Sequence, residues 1–69
     1  MKYAVVFEKS TRNYAAYVPD LPGCVATGKS RDEVERRIRE AIAFHVEGLR
    51  AEGEPVPAPA AWTELVDAG

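Results

Sequence analysis

The 69-residue sequence predicts an α+β domain: a small, mainly antiparallel sheet of three to four strands with one helix across a face, in the order β-β-β-α-β. Three observations carry that expectation. Two segments rich in β-branched and aromatic residues are separated by a turn too short for a parallel crossover. A third short segment of the same kind follows a Pro-Gly turn. A long stretch of helical period comes next, opened by a capping box and closed by a glycine.

The elements follow in chain order. In "KYAVVFE", residues 2–8, Tyr3, Val5 and Phe7 alternate with Ala4, Val6 and Glu8, the two-residue period of a strand. "KSTRN" is polar turn material, and "YAAYVP" is the second strand of an antiparallel hairpin. Pro19 closes that strand because it offers no N–H to a ladder. In "DLPGC", Pro22 presets the first central position of a β-turn and Gly23 supplies the positive φ of a type II turn at the next. "VATG" is the third strand, ended by Gly28. Tyr14, Ala16 and Val18 share one face of the hairpin, and Ala15 and Tyr17 the other. One helix shields one face only, which leaves the second for association with another chain.

Ser30 and Glu33 form an S-x-x-E capping box, with Asp32 and Glu33 placing negative charge at the positive end of the helix dipole. Val34, Ile38, Ala41, Ile42, His45 and Leu49 make one stripe, with Val46 at its margin. Arg36, Arg39, Glu40, Glu47 and Arg50 lie opposite. Asp32–Arg36, Glu33–Arg37 and Glu35–Arg39 have the favourable acid-first spacing, each worth about 0.3–0.5 kcal/mol. Gly53 stops the helix. Three prolines between residues 55 and 59 make 54–61 a stiff extended spacer. "WTELVDA", residues 62–68, alternates Trp62, Glu64 and Val66 against Thr63, Leu65 and Asp67, the pattern expected of a last short strand.

Size and charge limit the function. A domain this small buries only about 60% of its unfolded surface and leans on external support. One cysteine makes no internal disulfide, and one cysteine with one histidine is too few for a four-ligand zinc site. Association remains. A net charge of −2 opposes unaided binding to nucleic acid and suits a basic protein partner. No apolar run approaches the roughly 20 residues of a membrane span, and the amino-terminal residues start a strand rather than a signal peptide. The expected location is cytoplasmic.

Chemistry finds little purchase. Cys24 as a nucleophile needs a base within hydrogen-bond reach, and the one histidine, His45, lies on the apolar stripe of the helix. A buried small hydrophobe at a strand start is the simpler role for Cys24, and a core or interface position the simpler one for His45. Asp32, Glu33 and Glu35 are explained by the helix start, and Glu8 and Asp20 sit near strand ends with nothing forcing them together for a two-metal centre. Tyr3, Tyr14 and Tyr17 lack the basic surroundings of a nucleic-acid stacking platform. No catalytic, cofactor-binding or metal-binding residue is assigned. Tyr3, Val5, Tyr14, Tyr17, His45 and Trp62 are the candidate protein-interface residues.

"YAAYVPDLPGCVATGKSRDEV" and "AIAFHVEGLRAEGEPVP" resemble the HicB family of antitoxins, partners in HicA–HicB toxin–antitoxin pairs. The likeness covers residues 3 to about 57. It implies a partly degraded ribonuclease-H-like fold without the nuclease's metal-binding carboxylates, and a non-enzymatic role. It also implies a partner, a small basic mRNA-interferase toxin whose active site the antitoxin covers. Family members typically add a C-terminal DNA-binding module. The 16 residues after Gly53 are too few for one, so a single domain over 1–69 without direct DNA binding is expected. Self-association into a dimer or tetramer is expected as well. Two alternatives stand beside this reading: an orphan oligomer without a toxin, and a small hydrolase or RNA-processing enzyme built on Cys24 or a metal-bound carboxylate pair.

Overall fold

The computed structural model describes all 69 residues. Three strands, β1 (Val6–Lys9), β2 (Tyr14–Tyr17) and β3 (Val25–Gly28), precede one helix, α1 (Arg31–Ala51). The strands form an antiparallel sheet in the order β1-β2-β3, with Phe7 opposite Ala16 and Ala16 opposite Ala26. This is the α+β architecture that the patterning predicts.

The loop from β2 to β3 is two consecutive turns. Leu21 donates its amide to the Val18 carbonyl at 3.1 Å, and Cys24 donates to Leu21 at 3.0 Å. Gly23 has φ +83°, so Pro22 and Gly23 form the expected type II turn. An amide bond from Val18 to the Cys24 carbonyl, 3.2 Å, closes the loop onto the ladder. The turns thereby aim Leu21, Cys24 and Val18 inward.

Ser30 is extended (φ −142°, ψ 165°) and its hydroxyl accepts the Glu33 amide at 3.1 Å. The reciprocal half of the capping box does not form, because the Glu33 carboxylate pairs with Arg37 at 3.0 Å. Arg37 in turn donates to the Thr27 carbonyl at 3.2 Å and ties the helix to β3. Of the three expected ion pairs only Glu33–Arg37 forms, and Arg36 pairs with Glu40 instead, at 3.7 Å. The far end is a Schellman cap. Gly53, at φ +71°, donates to Arg50, and Glu54 donates to Leu49.

The core is small: Ala16, Val18, Leu21, Cys24, Val34 and Ile38. Tyr3, Val5, Tyr14, Ala26, Ala41, Ile42 and Val46 pack around it. Gly28 allows the close approach at its edge, since a Cβ there would lie 2.8 Å from the Val34 amide nitrogen. The helix crosses β2 and β3 and makes no comparable contact with β1. Four-residue strands span about 13 Å, whereas 21 helical residues span about 31 Å. The helix therefore overhangs the sheet. Its second half has poorer cover: His45 and Leu49 are half-buried and Phe44 is 80% exposed.

The expected last strand over 62–68 is absent; residues 54–69 carry no regular secondary structure. A strand needs a ladder partner, and nothing else in the chain lies beside this segment to supply one. The preceding spacer, however, is not free. The Asp20 carboxylate accepts two amides, from Ala60 at 3.0 Å and Ala61 at 3.1 Å. The Tyr3 hydroxyl donates to the Pro57 carbonyl. Val56 and Ala61 are half-buried along this route. The radius of gyration, 13.3 Å, exceeds the roughly 11 Å of a compact chain of this length, as an overhanging helix and a projecting tail require. No helix is long and apolar enough to cross a membrane.

Candidate functional site

Alternation along the strands separates two faces. Tyr14 and Ala16 of β2, with Phe7, Ala26 and Gly28 opposite them, and Val18 just after the strand point to the helix side. Val6, Ala15, Tyr17, Val25 and Thr27 point away, and no element lies over them. At the end of this open face, where β2 leads into the loop, Tyr17 and Val25 are direct cross-strand partners. Tyr17 is 40% exposed and Val25 63%. An aromatic ring and a β-branched side chain adjacent on a small flat surface, flanked by Val6 and Ala15, are the makings of a protein contact.

The six candidate interface residues separate accordingly. Tyr17 lies on the open face. Tyr3, Val5 and Tyr14 lie on the helix side and pack against the core; Tyr3 also holds the spacer through its hydroxyl. His45 is half-buried on the overhanging part of the helix. Trp62 projects from the tail, 76% exposed, with its indole N–H on the Glu64 carboxylate at 3.0 Å. Val6, Ala15 and Val25 join the open face, and the two-residue alternation that marks Tyr17 marks them too. Asp20, the holder of the tail, carried no local signal, because its partners lie 40 and 41 positions away.

A shallow cleft of about 310 Å³ opens on the other side of the sheet, between β1 and the start of α1. It exists because the helix leaves β1 uncovered. Phe7, Tyr14 and Val34 line it, with Lys9 and Arg31 at its rim. Phe7 is 47% exposed, and the Lys9 ammonium sits 5.8 Å from the centre of the Tyr14 ring.

Cys24 is buried, and burial pushes its thiol pKa up. A nucleophilic thiol needs the opposite shift. No group of three or more His, Cys, Asp or Glu side chains gathers closely enough to hold a metal ion.

A three-stranded sheet with one helix behind it and an open, partly apolar front is a small α+β domain with one uncovered sheet face. The chain belongs to the HicB-like antitoxin family of bacterial toxin–antitoxin systems, whose model matches residues 3–68. Among its relatives, a UPF0150 protein of Thermoplasma acidophilum is 40% identical over 58 residues, covering 83% of this chain and 84% of that protein. A 14.9 kDa protein from the rep–hol intergenic region of Haemophilus phage HP1 is 39% identical over 57 residues. That match covers 83% of this chain but 43% of the phage protein, so the chain spans less than half of that relative. Among solved structures, a chain of the HicA3–HicB3 toxin–antitoxin complex superposes with a TM-score of 0.73 at 32% identity. The superposition covers 86% of this chain and 69% of that one.

Proposed function

We propose that this domain is an antitoxin that works by binding alone. It docks on a small basic mRNA-interferase toxin of the HicA type and blocks access to its active site, with no catalytic step of its own. The observation that carries the reading is the open sheet face, where Tyr17 and Val25 stand beside each other without cover. Family membership and the solved toxin–antitoxin complex support the choice of partner. Mild net acidity, −2, favours encounter with a basic protein.

The test pairs neutralisation with direct binding. Co-expressed with the HicA-type toxin of the same genome, the unmodified protein restores growth and co-purifies with it. Replacing Tyr17 and Val25 together by Asp puts two charges where an apolar contact forms, at positions already facing solvent. That variant should keep its circular dichroism and unfolding midpoint yet lose both rescue and co-purification. Undiminished neutralisation by the folded double variant would refute the assignment of this face.

A further inference from the structure

The tail beyond Ala61 has a strand's alternation but no partner in its own chain, while β1 has an open outer edge. We infer that Trp62–Asp67 of one copy docks on a second copy, along the free edge of β1, with Trp62 seated in the cleft lined by Phe7, Tyr14 and Val34. Four observations lead there.

The first is exposure without cover: Trp62, Leu65 and Val66 are all exposed large apolar side chains, concentrated within five positions of a 69-residue chain. The second is a matching vacancy. The sheet order makes β1 an edge strand, so its outer N–H and C=O groups are free to pair with an added strand. The cleft beside that edge has an aromatic floor and about 310 Å³ of space.

The third is charge. The tail carries Glu64 and Asp67 and no basic residue after Arg50. At the cleft, Lys9 and Arg31 form no salt bridge with this chain. Glu8 and Glu35 are the acidic residues there. Glu8 pairs with Ala15, whose side chain points to the opposite face, which leaves Glu35 as the one carboxylate facing the two cations.

The fourth is reach, and it selects a second copy. Asp20 grips Ala60 and Ala61 at the tip of the turn after Val18. Tyr14, in the cleft, lies about 13 Å from Val18 along the strand. Trp62 follows the gripped residue directly, so with the clamp closed its indole does not span that distance to its own cleft. Only another subunit's cleft can receive it.

Trp62 is the chain's one tryptophan, so its fluorescence reports the contact. Raising the full-length protein through the micromolar range should shift the emission to the blue and raise the sedimentation mass in parallel. Phe7→Glu should weaken self-association roughly tenfold or more. Arg31→Glu is an exposed change at a helix start that favours acids; it should weaken association in the same direction and keep the fold. Mixing supplies the decisive arm. Trp62→Glu has an intact cleft and no tryptophan, and Phe7→Glu has an intact tail and a spoiled cleft. Neither should dock alone, whereas their mixture should show the blue shift. Emission independent of concentration overturns the inference, as does a mass increase with Trp62 still in water. A mixture that behaves as the sum of its parts overturns it too. The Tyr17 and Val25 variants lie on the other face and leave this readout unchanged, so the two proposals fail separately.

Discussion

Replacing Gly28 by Ala tests the packing on which both surfaces depend. The added Cβ would stand 2.8 Å from the Val34 nitrogen, 3.1 Å from its Cα and 3.2 Å from its Cβ. The nearest atom is helix backbone, which has no rotamer to change. A favourable contact needs about 3.5 Å, so the first turn of α1 must retreat by roughly 0.7 Å. Val34 and Ile38, two of the six core residues, move with it. Overpacking of this kind costs about 1–3 kcal/mol. Gly28 has no positive φ, so alanine also recovers about 0.5–1 kcal/mol by restricting the unfolded chain. The net loss is about 0–2.5 kcal/mol, and its midpoint near 1 kcal/mol corresponds to a fall in Tm of roughly 5–10 °C at this size. Gly48 supplies the opposite sign. A Cβ there meets nothing within 4 Å, and alanine in a helix gains about 0.5–1 kcal/mol. Urea unfolding followed by far-UV circular dichroism, with m unchanged, reads both. If Gly28→Ala were more stable than the parent, as Gly48→Ala should be, the close contact between β3 and α1 would be wrong.

Other consequences are as direct. Ser30→Ala removes the acceptor of the Glu33 amide and should cost about 1 kcal/mol, Ser30→Gly only a few tenths; equal losses would mean that the hydroxyl does not cap. Asp20→Ala should bring the Ala60 and Ala61 amides to nearly unprotected hydrogen exchange, and Asp20→Asn should retain partial protection; unchanged protection in Asp20→Ala would dissolve the clamp. The Cys24 thiol pKa is raised by burial above 9.0. Below 9.0 both folded and unfolded thiols are protonated and the contribution is level. Above it the unfolded chain ionises first, so stability declines as pH rises. Cys24→Ala should flatten that alkaline decline and leave toxin neutralisation intact. Loss of neutralisation in a folded Cys24→Ala would return the thiol to a chemical role.

What the sequence revealed tracks how local each cause is. The type II turn at Pro22-Gly23, the Ser30 cap and the Gly53 stop depend on neighbours within a few residues, and the fold realises all three. The two sheet faces were legible for the same reason, because alternation is a property of the strand alone. The fourth strand was misjudged on that logic. Trp62 to Asp67 alternate correctly, but alternation specifies a strand only where an edge lies within reach, and the Asp20 clamp holds this segment away from β1. The spacer was underestimated in the other direction. Three prolines describe its stiffness, yet its position is set by Asp20 and Tyr3, and contacts over 40, 41 and 54 residues leave no trace in a local pattern. Glu33 shows competition: two local rules claimed its side chain, the capping box and the i,i+4 pair. The charged partner, Arg37, won.

The mismatch between a 31 Å helix and 13 Å strands also explains why the two proposed docking surfaces lie where they do. A helix packed along β2 and β3 buries Val34 and Ile38 in its first turns, while further along Ile42 and Val46 reach only the margin of the core and Phe44 faces solvent. The single helix cannot then also reach β1, which leaves the cleft, nor pass behind the sheet, which leaves Tyr17 and Val25. A longer sheet, or a second helix, would bury these residues and stabilise the monomer at the expense of every surface a partner could use. The thin cover of the core and the two proposed docking surfaces thus have one geometric cause. On this view substitutions that improve cover of the open face within one chain will weaken binding in proportion, because both draw on the same apolar area.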